Sequence, residues 1–170
     1  CESAIGVREL LDKYGFTRAE TVLDEWNYFP GDWELLYREP QHQKYVDEQT
    51  GGMAGASFAA SALIYLQDSK LDVATYYTGW STVWGLFDQY GIPRKNFYAF
   101  KALSLLMETP RRVFCKGSDL DGLAVISGIS ADKSRASILV SNFDGKCSRY
   151  SIHVEGLPWR GTVVLRKYVL

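Results

Sequence analysis

A carboxylate closing an apolar run is the first place to look for chemistry, and the heptapeptide Thr21-Val22-Leu23-Asp24-Glu25-Trp26-Asn27 supplies one. Its β-branched and apolar residues read as a buried strand, and α/β barrels present catalytic groups at the C-terminal tips of such strands. Glu25 is therefore the candidate nucleophile. A carboxylate at that position could instead cap a loop or pair with Arg or Lys. Asn27 carries an amide that can bond a sugar hydroxyl or brace its own turn. The next residues, Tyr28-Phe29-Pro30-Gly31-Asp32-Trp33, are turn chemistry crowded with rings, which suits a loop lining a pocket.

The elements that must position these groups follow from periodicity. Ser3 to Tyr14 places Ile5, Leu10, Leu11 and Tyr14 at helical intervals with Gly15 as a stop, a helix feeding the strand. The spacing then predicts a helix over Gly55 to Gln67, a strand over Leu71 to Tyr77, and a second aromatic loop over Thr78 to Asp88, leaving the same end of the sheet as the first. Tyr28, Trp33, Tyr77, Trp80 and Trp84 could build a carbohydrate platform, or fill cores and loop bases as rings commonly do. Tyr77 and Trp84 follow the last strand most closely. A third helix is predicted from Lys95 to Glu108, stopped by Thr109-Pro110.

Beyond Arg111 the period changes to strands over Arg112 to Cys115, Leu123 to Ser127, Ser137 to Ser141, Arg149 to Val154 and Thr162 to Tyr168, separated by Gly, Asp and Asn turns. That tail reads as an antiparallel sheet or sandwich, with a boundary near Pro110. No internal repeat or low-complexity segment is visible.

Composition bounds the function. A chain of 170 residues, 46% hydrophobic and 14% aromatic, can pack a core. Its 19 basic and 20 acidic side chains leave a net charge of -1, with no basic cluster to gather phosphates, so neither nucleic acid nor a membrane surface is an expected partner. The weakly polar run from Gly51 to Leu66 falls short of the roughly 20 apolar residues that span a bilayer. Cys1, Cys115 and Cys147 lack metal-ligand spacing, and the odd count argues against a disulfide framework. Free thiols are the favoured reading, and Cys115 pairing with Cys147 is the alternative. Cys1 reads as a fragment boundary, with a lipid-modified residue after signal cleavage the alternative, which leaves a secreted or periplasmic location open. His42 and His153 have no nucleophile or metal-ligand neighbours in sequence. Ser57 and Ser61 fall inside a helix without the elbow a nucleophilic serine needs.

The segments Leu23-Asp24-Glu25-Trp26-Asn27, Leu66-Gln67-Asp68, Tyr76-Tyr77, Trp84-Gly85-Leu86-Phe87-Asp88, Gly91-Ile92-Pro93-Arg94-Lys95 and Tyr98-Ala99-Phe100-Lys101 together resemble the C-terminal part of retaining glycosidases of the large barrel clan. The likeness is strongest to family 39, the β-xylosidase and α-L-iduronidase family. It implies an α/β plus β fold. Residues 1–110 would be the last two strand-helix units of a TIM (β/α)8 barrel, and residues 111–170 an antiparallel β-sandwich-like accessory domain. The resemblance makes Glu25 the nucleophile, with a carbohydrate substrate such as a xyloside and no cofactor or metal. Two departures stand out. The loop after the last strand, acidic in such enzymes, here carries Trp80, Trp84 and Gly85, and nothing matches the Asn-Glu-Pro that bears the acid/base upstream.

Retaining hydrolysis needs two carboxylates about 5 to 5.5 Å apart. Asp24 neighbours Glu25, but strict strand alternation turns it to the opposite face. Glu34, Glu39, Asp47 and Glu48 are placed on the following loop, away from any strand tip. The isolated chain is therefore expected to be hydrolytically inactive, needing a complementary upstream barrel segment. Alternatives are a non-catalytic carbohydrate-binding or interaction module, or a fragment kept soluble by self-association through open sheet edges.

Overall fold

The computed structural model describes residues 2–119, 121–146 and 149–170. In chain order the elements are α1 (Glu2–Lys13), β1 (Val22–Trp26), α2 (Trp33–Arg38), α3 (Pro40–Gly51), α4 (Met53–Leu66), β2 (Val73–Tyr76), α5 (Lys95–Leu106), β3 (Arg111–Arg112), β4 (Leu123–Ile129) and β5 (Ala136–Asn142). Mixed helices and two small sheets result. Strands β1 and β2 form a parallel pair, and β3, β4 and β5 an antiparallel sheet in that order. No helix among the described residues is long and apolar enough to cross a membrane.

The parallel pair explains how two loops can share one end. Val22 pairs with Val73 and Leu23 with Ala74, but Trp26 pairs with Tyr76, so two residues of β1, Asp24 and Glu25, stand opposite Thr75 alone. This is a β-bulge. Its consequence is visible in the burial: Leu23 and Trp26 are half-buried while Asp24 and Glu25 between them are exposed. Strict alternation would have sent Leu23 and Trp26 to opposite faces. The expectation that Asp24 and Glu25 diverge therefore loses its premise, because the extra residue breaks the period of two.

The buried side of the pair packs on helices. Trp26 meets Tyr76 edge-on at 5.0 Å and Phe100 at 6.1 Å between ring centroids. The small side chains of Ala59 and Ala60 on α4 and Ala99 on α5 let these rings sit close. On the other side Val22 and Val73 are 53% and 46% exposed. A parallel sheet ordinarily has both faces covered, so this face is open. Helix α1 likewise leaves Val7 and Leu10 exposed, as is Tyr14 just after it.

The antiparallel sheet lies against α4 and α5 through Ile64, Leu106, Ala124 and Ile126, with Tyr65, Leu103 and Leu139 around them. The tail thus supplies an antiparallel sheet, one of the two arrangements expected of it, and the layer packed against that sheet is helical. Ser141 Oγ donates to the Ser57 carbonyl at 2.7 Å, and Arg112 grips Asp68 with bonds of 2.5 and 2.8 Å. Burial in α4 and α5 selects which tail strands form. The segments expected as strands over Arg149 to Val154 and Thr162 to Tyr168 take no regular secondary structure and join no ladder among the described residues. Ile152, Val163, Val164 and Leu165 remain exposed, so their apolar pattern has no surface to cover. Helices α2 and α3 also replace the long loop expected after Asn27. The Asp32 carboxylate accepts from the backbone N–H groups of Glu34 and Leu35, and Pro40 opens α3, two start signals that outweigh the turn reading. Glu34, Asp47 and Glu48 therefore ride on helices. Cys115 is half-buried; Cys1 and Cys147, and hence any pairing with the latter, lie outside the described residues.

At the base of the parallel pair, the Thr21 N–H donates to Asp72 Oδ2 at 2.7 Å, with the Thr21 hydroxyl 3.1 Å from the same oxygen. The backbone bond first, and then the hydroxyl, hold the Asp72 carboxyl below its ordinary pKa, with Arg8 adding to the effect. A carboxylate whose pKa is depressed on folding contributes stability above its unfolded pKa and loses it as pH falls through the folded value. Asp72→Asn should therefore narrow the stability gap between neutral and acidic pH, measured as melting temperature against pH. An unchanged profile would count against this role.

Candidate functional site

The C-terminal tips of β1 and β2 are held together by one amide. Asn27 Nδ2 donates to the carbonyls of Tyr77 and, at 2.9 Å, Trp84, while its Oδ1 accepts from the Tyr76 hydroxyl at 2.9 Å and the Tyr28 N–H at 2.6 Å. Two donors and two acceptors exhaust the amide. Of its two sequence readings, Asn27 takes the bracing one, and no hydrogen-bonding position is left for a sugar hydroxyl.

Tyr76 links this brace to α5. Its hydroxyl accepts from Asn96 Nδ2 at 2.9 Å, and Asn96 Nδ2 also donates to the Gly85 carbonyl at 3.1 Å. Burial pushes the Tyr76 hydroxyl up, ahead of the opposing pull of Asn96, Asn27 and Arg94, so it keeps the proton it donates to Asn27. Asn96 is fully buried. Arg94 supports the same loop from outside: its guanidinium donates to the Thr82 carbonyl at 2.9 Å and pairs with Asp47 Oδ1 at 2.9 Å, joining the β2 loop to α3. Gly51 makes room for it, since a Cβ there would lie 1.8 Å from Arg94 Nε. Sequence reasoning passed over Arg94 and Asn96 as functional. The available signal was Arg94 directly after Ile92-Pro93 and Asn96 two residues on, in the first turn of an apolar helix.

Glu25 sits in the bulge two residues before Asn27. Its side chain is exposed, and among the described residues no hydrogen bond or ion pair engages it. It is neither turned inward nor consumed by a structural ion pair. A hollow of ≈ 350 Å³ lies on the other side of the pair, lined by Trp26, Leu63, Leu66, Leu71, Ala74 and Phe100 together with Gln67 and Asp72. Glu25 does not line it.

The candidate rings separate into three environments. Tyr28 is turned into the seam between α4 and β5, 5.3 Å from Phe58 and 5.4 Å from Phe143. Burial raises its hydroxyl pKa, with Tyr45 and Asp144 adding to it. Trp84 is half-buried and stacks with Phe29 at 5.5 Å and Trp33 at 5.6 Å. Tyr77 and Trp80 stand open, 46% and 73% exposed.

No protein-family model matches the chain. No curated protein matches it either. Among solved structures, the chain is similar to a glucosidase from Croceicoccus marinus, with 28% sequence identity and a TM-score of 0.63 over 82% of this chain. The match spans 28% of that glucosidase's length. Likeness in sequence and structure together supports a relationship with glycoside hydrolases, without singling out one family of them.

The Asn27–Tyr76–Asn96 chain generates a stability prediction. Asn96→Ala removes two donors from a fully buried position and should cost about 2–3 kcal/mol, read from chemical denaturation. Asn96→Asp, which keeps the shape but not the donors, should not restore it. A loss within about 0.5 kcal/mol would show that the network is dispensable.

Proposed function

We propose that this chain is the C-terminal portion of a retaining glycoside hydrolase, in which Glu25 attacks the anomeric carbon. The observation that carries this reading is the position of Glu25: a free, exposed carboxylate at the C-terminal tip of a parallel strand, re-aimed by a bulge, in a chain similar to a glucosidase. Residues 1–110 then correspond to the last two strand-helix units of the barrel, and residues 111–170 to the accessory β portion. The open face of the parallel pair supports this, because Val22 and Val73 have the exposure of barrel-lining residues whose neighbours are absent.

In this mechanism the Glu25 carboxylate forms the glycosyl bond as the aglycone oxygen leaves, protonated by a second carboxyl about 5 to 5.5 Å away. The same carboxyl then deprotonates the water that releases the sugar. That acid/base belongs to an upstream barrel segment supplied in the same polypeptide or by a complementary chain. The chain alone is inactive in this reading. Asn27 is a positioning residue, fixing the loops around Glu25, while Tyr77 lines the sugar position and Trp84 backs the rings beside it. Xylosides or related glycans of the family 39 type are the substrates this reading favours.

In a protein with the barrel complete, Glu25→Gln should lower turnover by roughly 10⁴-fold or more while sugar binding survives. Turnover equal to the parent would defeat the proposal. The exposed rings of Tyr77 and Trp80 favour, as a second reading, a carbohydrate-binding module that cleaves nothing. It predicts that Trp80→Ala weakens glycan retention and that every version of the protein is inert. Reproducible cleavage by any purified version rules it out.

A further inference from the structure

Three rings, Phe29 and Trp84 on the loops after the parallel strands and Trp33 at the start of α2, come together. Phe29 and Trp33 lie 4.2 Å apart between centroids with planes tilted by 33°, and Trp84 closes the group at 5.6 Å from Trp33 and 5.5 Å from Phe29. Neither buried core cluster includes these rings. Trp33 is 56% exposed, whereas Phe29 and Trp84 behind it are half-buried. One indole is thus offered to solvent and backed by two others.

The exposed ring is held in place from below. Asp32, immediately before it, caps α2 through bonds of 2.7 and 3.2 Å to the N–H groups of Glu34 and Leu35, and donates its own N–H to His42 Nε2 on α3 at 3.0 Å. Gly31 presses on the same histidine so closely that a Cβ would lie 2.6 Å from Nε2. A large, exposed aromatic surface normally costs entropy to immobilise on binding. Here the cap, the histidine and the stacked rings have already restricted it.

We propose that Trp33, backed by Phe29 and Trp84, is a stacking site for a second pyranose unit, so that the substrate is an oligosaccharide rather than a single sugar on a small leaving group. The choice of a glycan rests on the hydrolase reading above. A pyranose presents a flat array of C–H bonds ringed by hydroxyls. The face of Trp33 meets the first, and Glu34, the next residue in sequence, carries a carboxylate for the second. The site is linked to the proposed nucleophile through the chain: the backbone carbonyl of Trp84 is tied to Asn27, and Asn27 lies two residues beyond Glu25 in sequence. Sequence reading favoured Tyr77 and Trp84 for sugar contact. The stacking instead assigns Trp84 the role of support and Trp33 that of contact.

The test is calorimetric titration of the 170-residue chain with xylotriose and cellotriose, and with xylose and glucose as single-sugar controls. A trisaccharide should bind, and Trp33→Ala should weaken it about tenfold, Trp33→Tyr much less. Tyr37→Ala, an exposed ring on the same helix outside the stack, should change nothing. Circular dichroism melting checks that each variant is folded. Failure of both trisaccharides to bind, or equal binding by folded Trp33→Ala, overturns the proposal. Two outcomes separate it from the hydrolase reading. If Glu25→Gln abolishes turnover in the completed enzyme but Trp33→Ala leaves KM unchanged, the subsite fails alone. If Trp33→Ala weakens the trisaccharide while Glu25→Gln turns over normally, the hydrolase reading fails and glycan stacking at Trp33 stands.

Discussion

The hydroxyl of Tyr76 is the point on which the architecture of the strand tips turns. It accepts from Asn96 and donates to Asn27, which places α5, β2 and β1 on one continuous chain of hydrogen bonds. Each member is satisfied on both sides, the condition under which a buried polar network rigidifies rather than destabilises. Because Asn27 then reaches the carbonyls of Tyr77 and Trp84, the loop after β2 cannot move independently of β1. The position of every candidate ring on that loop inherits this constraint.

The bulge at Asp24 and Glu25 is the second determinant, and it depends on the first. Trp26 must face the helices to pack on Tyr76 and Phe100, and Leu23 is half-buried as well, so the two intervening residues are the only ones free to leave the ladder register. The pair of carboxylates is thereby left exposed between two half-buried residues. Bulges beside active sites commonly re-aim a side chain in this way. Packing on one side of the sheet thus decides which side chains are exposed on the strand.

Much of this was legible before any coordinates. The apolar run ending in Glu25, the Ala-rich helix, the Tyr76-Tyr77 strand and the parallel exit of both aromatic loops follow from period and turn chemistry, and the elements lie within a few residues of expectation. The errors share one cause. Local patterns say that a segment can be a strand or a loop, not whether a neighbour is present to receive it. The Thr162 to Tyr168 run has strand composition but no ladder partner. The stretch after Trp33 looked like loop because aromatic and turn residues masked the cap at Asp32 and the start at Pro40.

The sequence by itself determined that a strand would carry Glu25 outward and that rings would surround its tip, because side-chain period and turn residues act over a few positions. Tertiary structure alone decided that Asn27 braces rather than binds, that Tyr28 turns into the seam by Phe143, and that Trp33 rather than Trp84 keeps an open face. Those outcomes depend on contacts distant in the chain, such as Asn27 with Tyr76 and Tyr28 with Phe143, where no local pattern reaches and only packing and hydrogen-bond satisfaction choose.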